Sequence, residues 1–283
     1  MTHPQQPQAF AVAPAPVPGP PAGGAGGSSR VILDYQTGAR LVEYDLRSFS
    51  AEIDAAVQSL SKPRVELMYR PEFRNPFNAR TAVMRRTFGL FADAALLAEN
   101  PEKPVQYVFT GLAVIAQPCT PELQTLMDIA NDKFVAAGER KFDRVLVNVY
   151  AGKEPGEPRD YISQHGDKGV EGNVVGISAG GCRVFRISRM VPKPGGGLRS
   201  ETLKDVVALP YHALAMEGQM FQRVLQHGVP QINLRASDFE DGIVPPGADG
   251  PRYSFTFRHH VEPAAKRKRG RDSPPAAASG GSA

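Results

Sequence analysis

The sequence predicts a mainly β fold of the α+β class, an antiparallel sandwich or barrel with two helices packed on one outer face. From about residue 142 onward, short runs rich in Val, Ile, Phe and Thr are separated by Gly and Pro, which is typical of strands joined by turns. Almost no helical periodicity interrupts these runs, and this favours antiparallel pairing. Two segments before residue 140 supply the helices.

The two helices are predicted from their capping residues and apolar spacing. Ser50 is the expected N-cap of a short helix over residues 51–60, and Thr120-Pro121 begins a longer helix that Gly138 ends. In the longer helix five apolar residues recur at helical spacing, so that face is expected to join the core. These residues are Leu123, Leu126, Met127, Ala130 and Phe134.

At least six strands are expected in the second half of the chain. The runs that predict them cover residues 145–150, 174–179, 183–190, 202–209, 213–217, 224–229 and 253–258.

The two ends of the chain differ in composition from the middle. Residues 1–29 contain seven prolines and no Asp, Glu, Lys or Arg, so they carry too little apolar surface to offset the entropy of folding. We interpret residues 1–29 as a disordered leader, 30–263 as one folded domain and 264–283 as a basic, low-complexity tail.

Composition also restricts the cellular setting. The chain has two cysteines, no hydrophobic run near its N-terminus and no apolar stretch of membrane-spanning length, so we expect an intracellular protein that is neither secreted nor inserted in a membrane. The net charge of +4 comes from the tail, where Lys266–Arg271 has the size of a nuclear import signal. A nuclear location is therefore expected, with an import receptor as partner. If the cluster is only a solvated charge run, the cytoplasm is expected instead.

Three residues form a candidate metal site. His165 and Asp167 are two residues apart, so in an extended segment both side chains point to one face. A lone His-x-Asp pair more often marks a hydrogen-bonded turn, but His227 follows on a later apolar strand. Two histidines and one carboxylate leave three metal positions open, which is the arrangement of non-haem iron oxygenases.

A strand near the C-terminus is expected to bind an anion. Alternation from Arg252 to Arg258 places Arg252, Ser254, Thr256 and Arg258 on one face and three aromatic residues on the other. Two arginines that face a cavity require anions, and a dicarboxylate can form paired hydrogen bonds with guanidinium groups. On an earlier strand, Asn148 and Tyr150 share a face and could bind the same ligand.

The ordered set of motifs resembles the AlkB family of nucleic-acid dealkylating oxygenases. The resemblance rests on residues 142–150, His165-Gly166-Asp167, residues 177–185, residues 225–230 and the spacing Arg252-x-Ser254-x-Thr256-x-Arg258. Upstream, residues 85–89 and 107–111 resemble segments that precede the core in DNA and RNA repair members.

The resemblance implies a double-stranded β-helix (jelly-roll) core and a set of site residues. It implies Fe(II) held by His165, Asp167 and His227, with 2-oxoglutarate held by Asn148, Tyr150, Arg252, Ser254 and Arg258. In that family, O2 and 2-oxoglutarate yield succinate and CO2 while an N-methyl group on a DNA or RNA base is hydroxylated and lost as formaldehyde. Arg86, Phe88, Tyr107 and Glu171 are the candidate substrate-binding residues, although Phe88 and Tyr107 equally suit the core.

Three departures from the family pattern leave the substrate open. The acidic residue expected two positions after the metal aspartate is Gly169 here, and the asparagine expected two after the first cavity arginine is Ser254. The stretch from His227 to Arg252 is long and contains four acidic residues. Two alternatives therefore remain: the same core could hydroxylate a protein or small molecule, or the chain could bind nucleic acid without catalysis.

Overall fold

The computed structural model describes residues 28–35, 38–74, 80–99, 101–109, 112–152, 158–167, 169–218 and 220–260. The basic tail and nearly all of the predicted leader lie outside these ranges, so the expectations about them stay predictions. No helix in the described ranges is long and apolar enough to cross a membrane.

The described chain is built mainly of strands. The four helices are α1 Ser50–Ser59, α2 Ala94–Glu99, α3 Pro121–Phe134 and α4 Phe221–Val224. The strands before α3 are β1 Ser29–Tyr35, β2 Ala39–Asp45, β3 Met68–Tyr69, β4 Glu72–Arg74, β5 Thr81–Val83, β6 Thr87–Ala92, β7 Gln106–Phe109, β8 Leu112–Ile115 and β9 Gln117–Pro118. After α3 come β10 Arg144–Tyr150, β11 Ile162–His165, β12 Val170–Gly180, β13 Arg183–Pro192, β14 Leu198–Ala208, β15 His212–Glu217, β16 Gln226–Val229 and β17 Arg252–His260.

Two sheets form the jelly-roll core that the sequence predicts. The large sheet has the order β1-β2-β15-β12-β17-β10-β6-β3, with β9 beside β6, and the small sheet has the order β11-β16-β13-β14. Leu41 and Leu214 of the large sheet share an apolar cluster with Ile187 of the small sheet, so the two sheets pack face to face. Two hairpins, β4-β5 and β7-β8, stand apart from both sheets.

The helices cover the outer face of the large sheet, as predicted. Phe255 and Phe257 of β17 are fully buried in one cluster with Leu123 and Leu126 of α3 and Ile53 of α1. Because side chains alternate along a strand, the neighbouring positions of β17 face the space between the sheets. The helical layer thus fixes which face of β17 is turned inward.

The longer helix matches its prediction better than the shorter one. The Thr120 Oγ1 accepts a hydrogen bond from the Leu123 N–H at 3.2 Å, although α3 ends at Phe134 rather than at Gly138. The predicted cap at Ser50 is wrong. A 3-10 turn over Arg47–Phe49 leads into α1, so the chain is already turning and Ser50 is the first helical residue.

One predicted strand begins later than expected. The run 224–229 was expected to be extended throughout, but Phe221–Val224 forms a short helix and β16 starts at Gln226. The buried side chains of Phe221 and Leu225 join the same apolar cluster, and one helical turn places both on one face. Phe221 and Leu225, four residues apart, are therefore positioned by a helical turn that precedes β16.

Candidate metal and dicarboxylate site

Strand pairing brings the two predicted histidine ligands together. Antiparallel β11 and β16 place His165 directly opposite His227, and their ring centroids are 4.4 Å apart. A separation of 62 residues in sequence thus becomes one cross-strand pair.

Asp167 completes a group that could hold a metal ion. One ligand atom from each of His165, Asp167 and His227 lies within 4.8 Å of the other two. The Nε2 atom of each histidine is 3.8 Å from an oxygen of Asp167. The Asp167 Oδ2 is buried and accepts no hydrogen bond from the described residues. A cation bound there would satisfy this oxygen, so the donor set fits a divalent metal.

Two glycines allow the ligand strands to approach their neighbours. A Cβ at Gly166, between two of the candidate ligands, would lie 2.6 Å from the Gln222 carbonyl oxygen. A Cβ at Gly228, next to His227, would lie 2.8 Å from the Ile162 carbonyl oxygen. A larger residue at either position would displace the neighbouring backbone and move the ligands.

The surroundings favour the protonation states that metal binding needs. Burial lowers the pKa of His227 to about 3, with a further contribution from the nearby His165. Burial also lowers the pKa of His165. For Asp167, burial alone would raise the pKa, but the charge of Arg258, together with the hydrogen bond from Tyr107, outweighs it and lowers the pKa. At neutral pH both imidazoles are therefore neutral and the carboxylate is ionised.

Other side chains orient the three ligands. The Nδ1 of His165 is 2.8 Å from the Ser163 carbonyl oxygen, so Nδ1 carries the proton and Nε2 is left to face Asp167. The Tyr107 hydroxyl donates to Asp167 Oδ1 at 3.2 Å, and the Asp167 N–H donates to Gln222 Oε1 at 2.9 Å. Such contacts fix ligand orientation and are typical of metal centres.

A cavity of about 210 Å³ opens beside these ligands, between the two sheets. Arg252, Ser254, Thr256 and Arg258 all line it, as the alternation along β17 predicts.

The two arginines of β17 occupy separate parts of the cavity. The Arg252 guanidinium donates to Ser178 Oγ at 2.9 Å and lies 5.4 Å from the centre of the Tyr150 ring. Arg258 instead forms a 3.1 Å ion pair with Asp167. The resemblance implies that both arginines hold the same dicarboxylate. Of these two arginines, Arg258 has a carboxylate partner and Arg252 has none among the described residues. Arg252 is therefore the better anchor for an anion.

Asn148 is held by a residue that was expected to contact the substrate. Arg86 is buried, and its Nε donates to Asn148 Oδ1 at 2.7 Å. Because arginine has no acceptor, the Asn148 oxygen must face Arg86 and its NH2 group is turned to other partners. Asn148 and Tyr150 both line the cavity, so the amide can donate to a bound carboxylate.

The remaining candidate substrate residues have different surroundings. Phe88 is fully buried in an apolar cluster with Leu90 and Leu146 and does not line the cavity. The structure thus supports its core role, because a ring enclosed on all sides cannot stack on a base. Tyr107 lines the cavity. The side chain of Glu171 lies outside the described part of the chain.

Sequence reasoning missed Phe185, which lines the cavity, and two buried polar residues, Ser178 and Arg183. Ser178 anchors Arg252, and Phe185 stacks on His227 with ring centroids 5.7 Å apart. Arg183 is almost completely buried and donates to the carbonyl oxygens of Cys182 and Ala151. The signal that could have identified Arg183 is its position as a charged residue at the start of a strand with apolar residues, β13. Nothing in the local sequence distinguishes Ser178.

The acidic stretch before β17 is paired with protein cations. Asp249 forms an ion pair with Arg159, and Glu240 forms one with Arg30. These pairs offset the negative charge of two of the four acidic residues in this stretch.

Comparison with known proteins finds a likeness among solved structures only. No protein-family model and no curated protein matches the sequence. Among solved structures, the chain is similar to one described as "The structure of OsALKBH1", with 16% identity, 78% of this chain and 96% of that chain covered, and a TM-score of 0.39. Because this overlap is weak, the fold class rests on the sheets and helices described above.

Proposed function

We propose that the chain is an Fe(II)- and 2-oxoglutarate-dependent dioxygenase that removes N-methyl groups from nucleic-acid bases. The observation that carries the proposal is the joint placement of His165, Asp167 and His227 at one side of a cavity that also contains Arg252. Two histidines and one carboxylate on one face of a metal ion are the ligands typical of non-haem iron sites. The buried guanidinium of Arg252 beside them can form paired hydrogen bonds with a carboxylate of a dicarboxylate ligand.

The chain's own residues would hold the two groups. His165, Asp167 and His227 would bind the iron, and Arg252 would form paired hydrogen bonds with one carboxylate of 2-oxoglutarate. The Asn148 NH2 group is an additional donor to that co-substrate. Arg258 keeps Asp167 ionised through their ion pair.

Bound together, Fe(II) and 2-oxoglutarate supply the oxidising chemistry: O2 gives one oxygen atom to succinate, with release of CO2, and the other to the substrate. An N–CH3 group thereby becomes N–CH2OH. This hemiaminal then breaks its N–C bond, which yields formaldehyde and the unmethylated nitrogen.

A basic segment beside the cavity favours a nucleic-acid substrate. Residues 64–86 contain six arginines and two glutamates, although the folded domain has balanced charge. Phe73, Arg85 and Arg86 from this segment line the cavity, and Tyr69 next to them is 71% exposed. Arginines bind phosphates, and exposed aromatic rings stack on bases.

One observation favours the second candidate, a protein or small-molecule hydroxylase with the same centre. Gly169 stands where the resemblance places a base-contacting acid, and it offers no side chain.

The test is turnover by protein loaded with Fe(II) under anaerobic conditions. After 2-oxoglutarate and O2 are added, succinate and formaldehyde are measured with and without methylated oligonucleotides. We expect both products to rise with the oligonucleotide. Succinate without oligonucleotide-dependent formaldehyde favours the second candidate, and the absence of both succinate and bound iron contradicts the oxygenase itself, leaving a non-catalytic nucleic-acid-binding protein.

Two histidine variants are the matched controls. His227→Ala should abolish metal binding and turnover. His212, which is paired with Glu43 at 3.0 Å, does not line the cavity, so His212→Ala should retain turnover.

We also propose that Lys266–Arg271 directs the protein to the nucleus through an import receptor. A fluorescent fusion that lacks residues 264–283 should lose nuclear accumulation, whereas the full chain should keep it.

A further inference from the structure

A glycine lies in the middle of an interior strand that borders the cavity. Gly176 belongs to β12, which runs between β15 and β17 in the large sheet. It is paired with Leu214 on one side and with Thr256 on the other. Glycine weakens a strand, because it loses more backbone entropy on folding than other residues and has no side chain to pack. A glycine at this position therefore needs a structural or a functional reason.

The backbone gives no structural reason for Gly176. Strand pairing continues through residues 175–177 on both sides without a shift, and the φ of Gly176 lies outside the left-handed region that favours glycine. A Cβ at Gly176 would have the Leu214 carbonyl oxygen as its nearest neighbour, at 3.9 Å. At Gly180 in the same strand, by contrast, a Cβ would collide with the Pro251 carbonyl oxygen. The protein itself would therefore admit a side chain at position 176.

Gly176 faces the cavity rather than the helices. It lines the cavity, whereas Val175 and Ile177 on either side of it are fully buried in the cluster that includes α1 and α3. Gly176 and its partner Thr256 are only partly buried, although β12 and β17 are both interior strands. Their exposed surface therefore opens into the cavity.

Gly176 is part of a group of small residues on this inward face. Two successive inward-facing pairs between β12 and β17 consist of small side chains. The larger Leu146 and Leu214 flank them on β10 and β15. We call the small residues the trough, and they are Gly176, Ser178, Ser254 and Thr256.

Buried guanidinium groups lie at both ends of the trough. Arg252 is held at one end by its hydrogen bond to Ser178 Oγ at 2.9 Å. Arg258, with its ion partner Asp167, lies two residues beyond Thr256 at the other end. Both arginines are 3% exposed, and the Nε of each has no hydrogen-bond partner among the described residues. Buried donors without partners at both ends indicate an anionic ligand that lies along the trough.

We propose that the carbon chain of 2-oxoglutarate lies directly against the backbone at Gly176, so that residue 176 determines which co-substrate fits. This inference rests on the proposed function and adds a specificity-determining residue to the same site. A dicarboxylate that reaches from Arg252 to a metal at Asp167 must cross the trough. Its methylene groups then occupy the space that a side chain at position 176 would fill, and their contacts offset the cost of glycine in the strand.

The test enlarges residue 176 in steps, with the variants Gly176→Ala, Gly176→Val and Gly176→Leu. Each protein is loaded anaerobically with Mn(II) and titrated with 2-oxoglutarate in a calorimeter, which measures binding rather than turnover. We expect the Kd for 2-oxoglutarate to rise with the size of the side chain, by about tenfold or more for valine, because the site is overfilled. The Kd for Mn(II) should stay unchanged in Gly176→Ala, since a Cβ at residue 176 would lie within 4 Å of no metal ligand.

Two controls separate this role from a need for glycine in folding. Without metal and co-substrate, Gly176→Ala should unfold at an equal or higher urea concentration than the unmodified protein, because alanine fits the space and restricts the unfolded chain. Ser200 is exposed on β14, at the edge of the small sheet. Ser200→Val should therefore leave the Kd for 2-oxoglutarate unchanged.

The possible outcomes separate the inference from the proposed function. An equal Kd for 2-oxoglutarate in Gly176→Val and the unmodified protein would overturn the inference and leave the dioxygenase proposal intact. Unfolding of Gly176→Ala at a lower urea concentration would also overturn it, since the fold itself would then require the glycine. If 2-oxoglutarate does not bind the unmodified Mn(II)-loaded protein, both are wrong. If Gly176→Leu does not fold, the alanine and valine variants decide the question.

Discussion

Replacing Tyr107 by phenylalanine should weaken metal binding without removing a metal ligand. The Tyr107 hydroxyl donates to Asp167 Oδ1 at 3.2 Å, and the Arg258 guanidinium lies 4.8 Å from the centre of its ring. Phenylalanine preserves the ring under Arg258 and deletes only the hydroxyl. The hydrogen bond to a carboxylate contributes about 1.5–3 kcal/mol. Because 3.2 Å is long for such a bond, the lower value applies, which corresponds to roughly a tenfold loss of metal affinity.

The assay is an anaerobic calorimetric titration with Fe(II), or with Mn(II) as an air-stable substitute. Tyr211→Phe is the matched control, since the Tyr211 hydroxyl donates to Asp54 at 3.0 Å and neither residue lines the cavity. Tyr107→Phe should bind metal about tenfold more weakly, and Tyr211→Phe should match the unmodified protein. Equal metal affinity in Tyr107→Phe and the unmodified protein would refute the orienting role of Tyr107.

Three further predictions concern the co-substrate, the core and acid stability. Arg252→Lys should raise the KM for 2-oxoglutarate about 10- to 100-fold, measured by succinate formation, because lysine lacks the paired donors of a guanidinium; an unchanged KM would remove Arg252 from the binding site. Phe257→Ala should lower the free energy of unfolding by about 3–5 kcal/mol in urea, since the ring is fully buried in the main core, and a loss below 1 kcal/mol would contradict that packing. For Glu43, burial alone would raise the pKa, but hydrogen bonds from His212 and Arg30 lower it. A lowered pKa stabilises the fold above the unfolded value of about 4.3 and the gain is lost as the pH falls through the folded value, so Glu43→Gln should destabilise the protein at pH 7 and lose this effect in acid.

Local patterns in the sequence were sufficient for several structural predictions. Alternation along residues 252–258 identified the aromatic face of β17 that packs beneath the helices and the polar face that lines the cavity. Helical spacing identified α3, and its cap at Thr120 is present. These features depend on residues within a few positions of one another, so the repeat of a strand or helix is enough to predict them.

Strands β1–β9 were not foreseen, for a physical reason. Many are short, and β6, which lies between β10 and β3 in the large sheet, is buried at nearly every position, so no alternation distinguishes its two faces. The two hairpins near the cavity are short pieces outside the main sheets, and their position depends on contacts with distant parts of the chain.

The sequence by itself determined which chemical groups are available: two histidines, an aspartate and two arginines, with the arginines on a predictable face of their strand. The tertiary structure decided which of these groups meet. The register between β11 and β16 placed His165 opposite His227, Arg258 was directed to Asp167 rather than to an open anion site, and Phe88 went into the core. Side-chain direction along a strand follows from local backbone geometry, but strand order and register follow from the burial of the whole apolar surface, which no short segment encodes.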